Sequence, residues 1–401
     1  MKCFGKRNLS LFLLIVLVFS CEPESNLDLP GFPPTSENLE TAVVTDWFAL
    51  IKTLTTETPG YTPPVAARAF GYTGVALYEG LVPGIPSKQS LSGQLNGLQI
   101  TIAPDPNATY HWPTVANAVL AGMTRHFYAN ANDDKFEAIV SLEKRFNDLY
   151  LEENGAEIHE ASLKWGQDLV AAVLEWSSTD GGANGQLNNF PEDYMPPIGP
   201  QFWVPTPPNY QPALQPYWGD NRPFLTQNVE ATAPQDPVEF STAVDSEFYS
   251  NAMNVYTTVN SLTPAQRVIA EYWSDDPVTT ATPPGHSISI LNQLIVNENV
   301  SLQVGAEAYA KLGIGISDAF ISCWNLKYKT MYVRPITYIQ AYIDPDWNSV
   351  LVTPPFPEFT SGHSVQSGAL AEIMTDLFGE NYTFTDTTHD FRTDIDGSAR
   401  T

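Results

Sequence analysis

The stretch "AEAYAKLGIGISDAFISCWNLKYKT", Ala306–Thr330, decides the fold class. Its apolar residues Tyr309, Leu312, Ile316, Phe320, Cys323 and Trp324 return at intervals of three or four, which places them along one face of an α-helix. The same period runs upstream through "TAVVTDWFALIKTL", "PPVAARAFGYTGVALYEGL", "PTVANAVLAGMTRHFY" and "HEASLKWGQDLVAAVLEW". It resumes in "DSEFYSNAMNVYTTVN", "TPAQRVIAEYWSDD" and "HSISILNQLIVNEN". Pro63, Pro64 and Pro113 stand where helices begin, the one place in a helix where a missing amide costs nothing. No alternation of strand type competes over comparable lengths, so the chain is expected to be all-α, its helices bundled around one core.

Composition supports a packed core: 43% of the 401 residues are hydrophobic and 12% aromatic. With 19 basic against 45 acidic side chains the formal net charge is -26, which repels nucleic acid and anionic lipid surfaces. A small anion can still bind where cations gather locally. The N-terminus, "MKCFGKRNLSLFLLIVLVFSC", places Lys2, Lys6 and Arg7 ahead of an apolar run, Leu11–Phe19, and reads as a signal peptide over 1–21. Ser20-Cys21 closes it like a lipobox. Cys21 is therefore the expected lipidated terminus of an exported protein, periplasmic or on the cell surface, touching the membrane only through that anchor. Residues 22–40, rich in Pro, Ser, Asn and Glu, read as a tether, and 41–401 as the helical domain. Within it 177–238 loses the helical period, as in "YMPPIGPQFWVPTPPNY", and its aromatic content predicts an ordered segment draped over the core. Cys323 would remain as a buried thiol with no partner for a disulfide.

The chemistry gathers near the end of the long helix. Its apolar face runs on to Lys327, and seven residues further comes Arg334, with Pro335 expected to end the helix behind it. A buried cation costs several kcal/mol unless an anion compensates it. This segment offers no acid on the matching face, so either both side chains emerge into water or they hold an anion. "FTSGHS", Phe359–Ser364, precedes a last helix, Ser361–Phe378, expected to bury Val365, Leu370, Ile373, Met374 and Leu377 and to stop at Gly379. At such an N-terminus the first amides point outward unpaired, Gly362 lets an oxyanion approach, Ser361 adds a hydroxyl, and His363 stands ready to move a proton. The plainer alternative is an ordinary helix start with an exposed histidine.

Together the two segments are more specific than either. Lys327-x6-Arg334-Pro335 followed by Ser361-Gly362-His363 resembles the first two motifs of the phosphatidic acid phosphatase type 2 and vanadium-dependent haloperoxidase superfamily. "SDAFISCWNLKYKTMYVRP", with Asp318-Ala319 and with Trp324 three residues before Lys327, and "TPPFPEFTSGHS", with its Phe-Pro lead, look closer to the haloperoxidase branch. "TPPGHSISI" and "TPPVAARAFGYTGVALYEG" add looser similarity. The resemblance implies a helical bundle of the vanadium chloroperoxidase and acid phosphatase type, with its core motifs over 318–378. It implies vanadate, in competition with phosphate, bound by Lys327, Arg334, Ser361 and Gly362. No haem or nucleotide is expected. His363 would be the acid–base that helps hydrogen peroxide lose its proton, and Lys327 would polarise the bound peroxide. Halide would leave as hypohalous acid for a small organic acceptor, with Phe356 and Trp324 walling the halide site. No oligomeric state is implied.

Two departures qualify this. Thr360 stands where the second motif usually has proline. The third motif, Ser-Arg-x5-His-x3-Asp, carries the histidine that binds vanadium, and neither Ser398-Ala399-Arg400 nor His389 reproduces it. That histidine is expected beyond Thr401, and the 401-residue chain by itself is expected to be inactive. Three readings follow: a vanadate-dependent haloperoxidase, a phosphatase on the same anion site, or a non-catalytic oxyanion-binding lipoprotein.

Other signals carry less. "GHSVQ" lacks the second glycine of a nucleophile elbow, and "RTDIDG" has Arg392 where a calcium loop needs an acid. "SDDP", Ser274–Pro277, reads as a helix end. His286 reads as a helix-start residue, with a pocket-lining role as the alternative. His111, His126 and His159 lack metal-ligand spacing, and no Cys/His cluster is expected.

Overall fold

The structure, a computed structural model, describes residues 41–401. The signal peptide, Cys21 and the tether expected over 1–40 lie outside the described residues. The described chain is helical: α1 (Ala42–Glu57), α2 (Pro63–Leu81), α3 (Trp112–Phe127), α4 (Asp133–Asn154), α5 (Ala156–Ser177), α6 (Thr226–Glu230), α7 (Glu247–Asn260), α8 (Pro264–Tyr272), α9 (Thr282–Asn297), α10 (Leu302–Thr330), α11 (Pro335–Tyr342) and α12 (Gly362–Phe378). Only isolated bridges, with no strand, occur among the described residues.

The centre of the bundle is the pair α2 and α10. Every residue of α2 from Pro64 to Leu81 is buried, so this helix is apolar or internally paired on all sides. It lies directly on α10 because glycines face glycines. A Cβ on Gly74 would stand 2.5 Å from the Tyr309 carbonyl oxygen, and one on Gly313 would stand 2.8 Å from that of Phe70. The cation that α2 buries, Arg68, is matched by Asp180 at 2.7 Å and by the Ser177 carbonyl at 2.8 Å, and it lies over the Tyr72 ring. α3, α4 and α5 pack together on one flank, and α1 and α9 on another, where Phe48 stacks on Tyr309 at 3.7 Å.

The helix α4 was not visible as an apolar period. Its fully buried residues are Ile139, Phe146 and Tyr150, a stripe too narrow to stand out of a charged sequence. Segment 177–238 contains short helical pieces, Gly185–Leu187, Trp218–Asp220 and α6, and crosses α10. The carboxylate of Asp318 receives the amides of Phe224 (2.7 Å) and Leu225 (2.9 Å) and the side chain of Asn228 (2.9 Å), and Gly219 lies against Asn325.

Two expectations change. Pro335 does not end the long helix; α10 stops at Thr330, Met331 turns into the left-handed region at φ 49°, and Pro335 opens α11 with Arg334 as its N-cap. Proline suits a first helical position, so the residue read as a terminator is an initiator. In α12, Leu377 is buried as expected, but Val365, Leu370, Ile373 and Met374 are only half-covered. They touch the core from its margin because α12 lies along the edge of α10. Gly379 follows α12 at φ 90°.

Candidate functional site

Lys327 sits in the last turn of α10 and is 1% exposed. It does not reach water. Its Nζ donates to the carbonyls of Pro357 (2.7 Å) and Glu358 (3.0 Å), in the segment that leads to α12. Burial, followed by the charge of Arg334, lowers its pKa to about 8, against pulls upward from Cys323 and Glu358. Arg334 approaches the same segment from the other end. Its Nε donates to the Phe356 carbonyl at 2.7 Å and its Nη1 to Glu358 at 2.5 Å. The acid missing from the cations' own helix is therefore supplied from across the turn. Arg334 Nη2 is buried and has no hydrogen-bond partner. Both cations lie 4.9 Å from the Phe356 ring, which is wedged between them.

Phe356 also meets Trp324, with ring centroids 5.0 Å apart. Trp324 is fixed by its indole N–H on the Leu214 carbonyl (3.3 Å), from the covering segment. The two predicted wall residues thus form one aromatic surface on which the cations rest. Behind them the buried Cys323 sulfur lies 3.5 Å from the Thr360 hydroxyl and 3.6 Å from its carbonyl. Thr360, where the resemblance expects proline, ties the turn to α10.

Ser361 is the N-cap of α12, its hydroxyl accepting the Ser364 amide at 3.2 Å. One of the amides counted as unpaired is therefore satisfied by the cap. Gly362 stands against the aromatic wall, since a Cβ there would come 3.8 Å from Trp324. His363 is exposed on the first turn of α12. The structure so joins Lys327, Arg334, Phe356 and Trp324 in direct contact, sets Ser361 and Gly362 beside them, and leaves His363 at the solvent side. An apolar recess of about 170 Å³, lined by Phe248, Tyr332, Val333, Tyr338, Arg334 and Glu358, opens next to Arg334.

His389 belongs elsewhere. It lies with Asp275 and His286 in a buried group whose donor atoms are all within 4.8 Å of one another. This overturns the expectation that the histidines form no cluster. α9 begins at Thr282, so His286 lies inside the helix rather than at its start, where it is 4% exposed and lines a cavity. Asp275, read as part of a helix end, is 2% exposed. The only sequence signal was a proline near Asp275 and near His286, which is common without chemistry, and His389 has none.

A vanadate group would find donors here: an unpartnered, buried guanidinium nitrogen, a buried ammonium, and a serine-capped helix start. The family model described as VCPO second helical-bundle domain matches residues 307–399, which contain both cations and α12. The vanadium chloroperoxidase of Curvularia inaequalis is 22% identical over 380 residues, covering 78% of this chain; the chain spans 61% of that relative's length. A bacterial vanadium-dependent chloroperoxidase superposes with a TM-score of 0.61 at 15% identity over 88% of this chain and 82% of its own, which shows a shared fold. The crystal structure described as the first bacterial vanadium-dependent iodoperoxidase superposes with a TM-score of 0.79 at 31% identity, covering 89% of this chain. With 85% of that iodoperoxidase matched, the chain belongs to the vanadium-dependent haloperoxidase family.

Proposed function

We propose that the protein oxidises halide with hydrogen peroxide, using vanadate held between the end of α10 and the start of α12. The observation that carries this reading is Arg334: its Nε and Nη1 are engaged, and its Nη2 is buried without a partner, as a site awaiting one more oxygen requires. Vanadate, when bound, supplies a Lewis-acidic centre that activates peroxide without changing its own oxidation state. Lys327 and Arg334 would hold its oxygens, Ser361 and Gly362 would donate to it from the cap and backbone, and each charged contact is worth about 1.5–3 kcal/mol.

His363 has solvent access, so it can take a proton from incoming peroxide and pass it to water. Lys327, held on two carbonyls, keeps its ammonium in one place and can polarise an oxygen brought to it. Phe356 and Trp324 exclude water from one side, which favours an approaching halide over its hydration shell. The iodoperoxidase likeness makes iodide the first halide to try.

The test is oxidation of iodide and bromide by the natural full-length protein, with vanadate and peroxide, in the presence and absence of phosphate. Lys327→Ala and Arg334→Ala should each lower kcat/KM at least a hundredfold, and phosphate should compete with vanadate. Normal turnover by Lys327→Ala would sink the assignment. Hydrolysis of a phosphomonoester without vanadate would put the phosphatase reading first, and phosphate binding without any turnover the purely binding one. We place the protein outside the cytoplasm on a lipid anchor at Cys21, on the strength of the Met1–Cys21 sequence. Metabolic labelling with palmitate should mark the parent and not Cys21→Ala.

A further inference from the structure

A cavity of about 350 Å³ is lined by Asp275, His286, His389, Lys52, Thr280 and Thr388 among others, and neither Lys327 nor Arg334 borders it. We propose that Asp275, His286 and His389 form a binding site for a divalent transition-metal cation, zinc(II) best of all, with one coordination position open to this cavity. Asp275 comes from the connection between α8 and α9, His286 from the N-terminal part of α9 and His389 from the loop after α12, so the fold alone brings them together.

The unsatisfied atoms carry the argument. His389 is 1% exposed, yet neither its Nδ1 nor its Nε2 makes a hydrogen bond. Asp275 Oδ1, also buried, makes none either. His389 Nε2 and Asp275 Oδ1 approach to 3.1 Å without the alignment a hydrogen bond needs. Two lone-pair donors that stand side by side and miss each other share a third point, where a cation would satisfy both. Left bare, buried polar atoms of this kind cost about 1–3 kcal/mol each.

His286 completes the set. Its Nε2 lies 2.8 Å from Asp386 Oδ2, while its Nδ1 faces Asp275 at 2.9 Å. Asp386 is itself held by Tyr272 (2.8 Å), by the Thr388 amide (2.9 Å) and hydroxyl (2.6 Å), and by Gln293 (3.2 Å). A carboxylate fixed in this way on the far nitrogen orients a histidine for metal ligation by the near one. The two carboxylates exceed the charge that His286 can carry. Arg392 is hydrogen-bonded to Asp394 at 2.5 Å and reaches Asp275 only through its field, and Lys52 is engaged by Ser289 at 3.1 Å. Two imidazoles and one carboxylate are the donors that zinc(II) takes when a fourth position stays open.

The natural full-length protein, stripped with a chelator and exchanged into metal-free buffer, is titrated with zinc(II) by calorimetry and with cobalt(II) by visible absorption. One equivalent of zinc(II) should bind, with an intense cobalt(II) spectrum of low coordination number. His389→Ala should weaken binding at least a hundredfold, and Asp386→Asn ten- to a hundredfold. Should His389→Ala fail to fold, His389→Gln serves in its place, and the cobalt(II) spectrum of the parent decides independently of any variant. The proposal is overturned by the absence of a saturable equivalent, by a weak six-coordinate cobalt(II) spectrum, or by unchanged affinity in a folded His389 variant.

Discussion

Lys327 carries the most informative charge in the molecule because no carboxylate accepts its protons; two carbonyls do. Its folded pKa of about 8 lies below its ordinary value of 10.5, so the sign of its linkage is fixed. Below pH 8 both folded and unfolded chains are charged here, and the folded one bears a cost of about 3 kcal/mol. Between about 8 and 10.5 the unfolded chain binds the extra proton, and stability should rise with pH over that window. A bound oxyanion reverses the balance by restoring the charge. Phosphate affinity should therefore fall as pH rises through 8, and Lys327→Met should flatten that dependence; titration calorimetry at pH 7 and 9.5 compares them. That Lys327, Arg334, Ser361 and Gly362 lie near one another could be expected from the sequence because their spacing is short and set by helices. The partner of Arg334 could not, since Glu358 reaches it from a turn that has no period.

At the scale of elements, Asp318 shows how the covering segment is fastened. Burial raises its pKa to about 6, against the two amides and the Asn228 side chain that favour its charged form. Asp318→Ala would leave those donors buried without an acceptor, and thermal melting should show a loss of about 2–4 kcal/mol. The central contact is as intolerant of volume. Gly74→Val has no room against the Tyr309 carbonyl, 2.5 Å from where its Cβ would stand, and should cost 2 kcal/mol or more, on the order of the severest overpacking in cores. The long helices α2 and α10 were legible because apolar period, length and proline starts agree in them. The boundary at Thr330 was not, since Met331 adopts a left-handed conformation that nothing in a methionine announces. The helix α4 escaped for the opposite reason, having too little buried surface to imprint a pattern.

For the whole molecule, the net charge of -26 sets a background against which a local positive site has to work. Self-repulsion destabilises the compact state and is screened by salt. Raising sodium chloride from about 10 to 150 mM should lift the melting temperature by a few degrees, since 1 kcal/mol is worth roughly 2–4 °C in a chain above 150 residues. The all-α class and the meeting of Lys327 and Arg334 with the turn before α12 were readable because both rest on local spacing. The group of Asp275, His286 and His389 was not readable, because it joins the segment before α9 to the loop after α12, far apart in the chain. Only the closed bundle makes them neighbours.

Cys323 gives this architecture a built-in stopwatch. Its sulfur is roofed by Thr360, in the same turn that covers the ammonium of Lys327. An alkylating reagent can reach it only after that turn lifts from the helix beneath, the movement that would also bare the anion cradle. Burial holds the thiol protonated and slow to react, so the labelling rate in native buffer reports how often the roof opens. An anion seated beneath should lengthen the interval between openings.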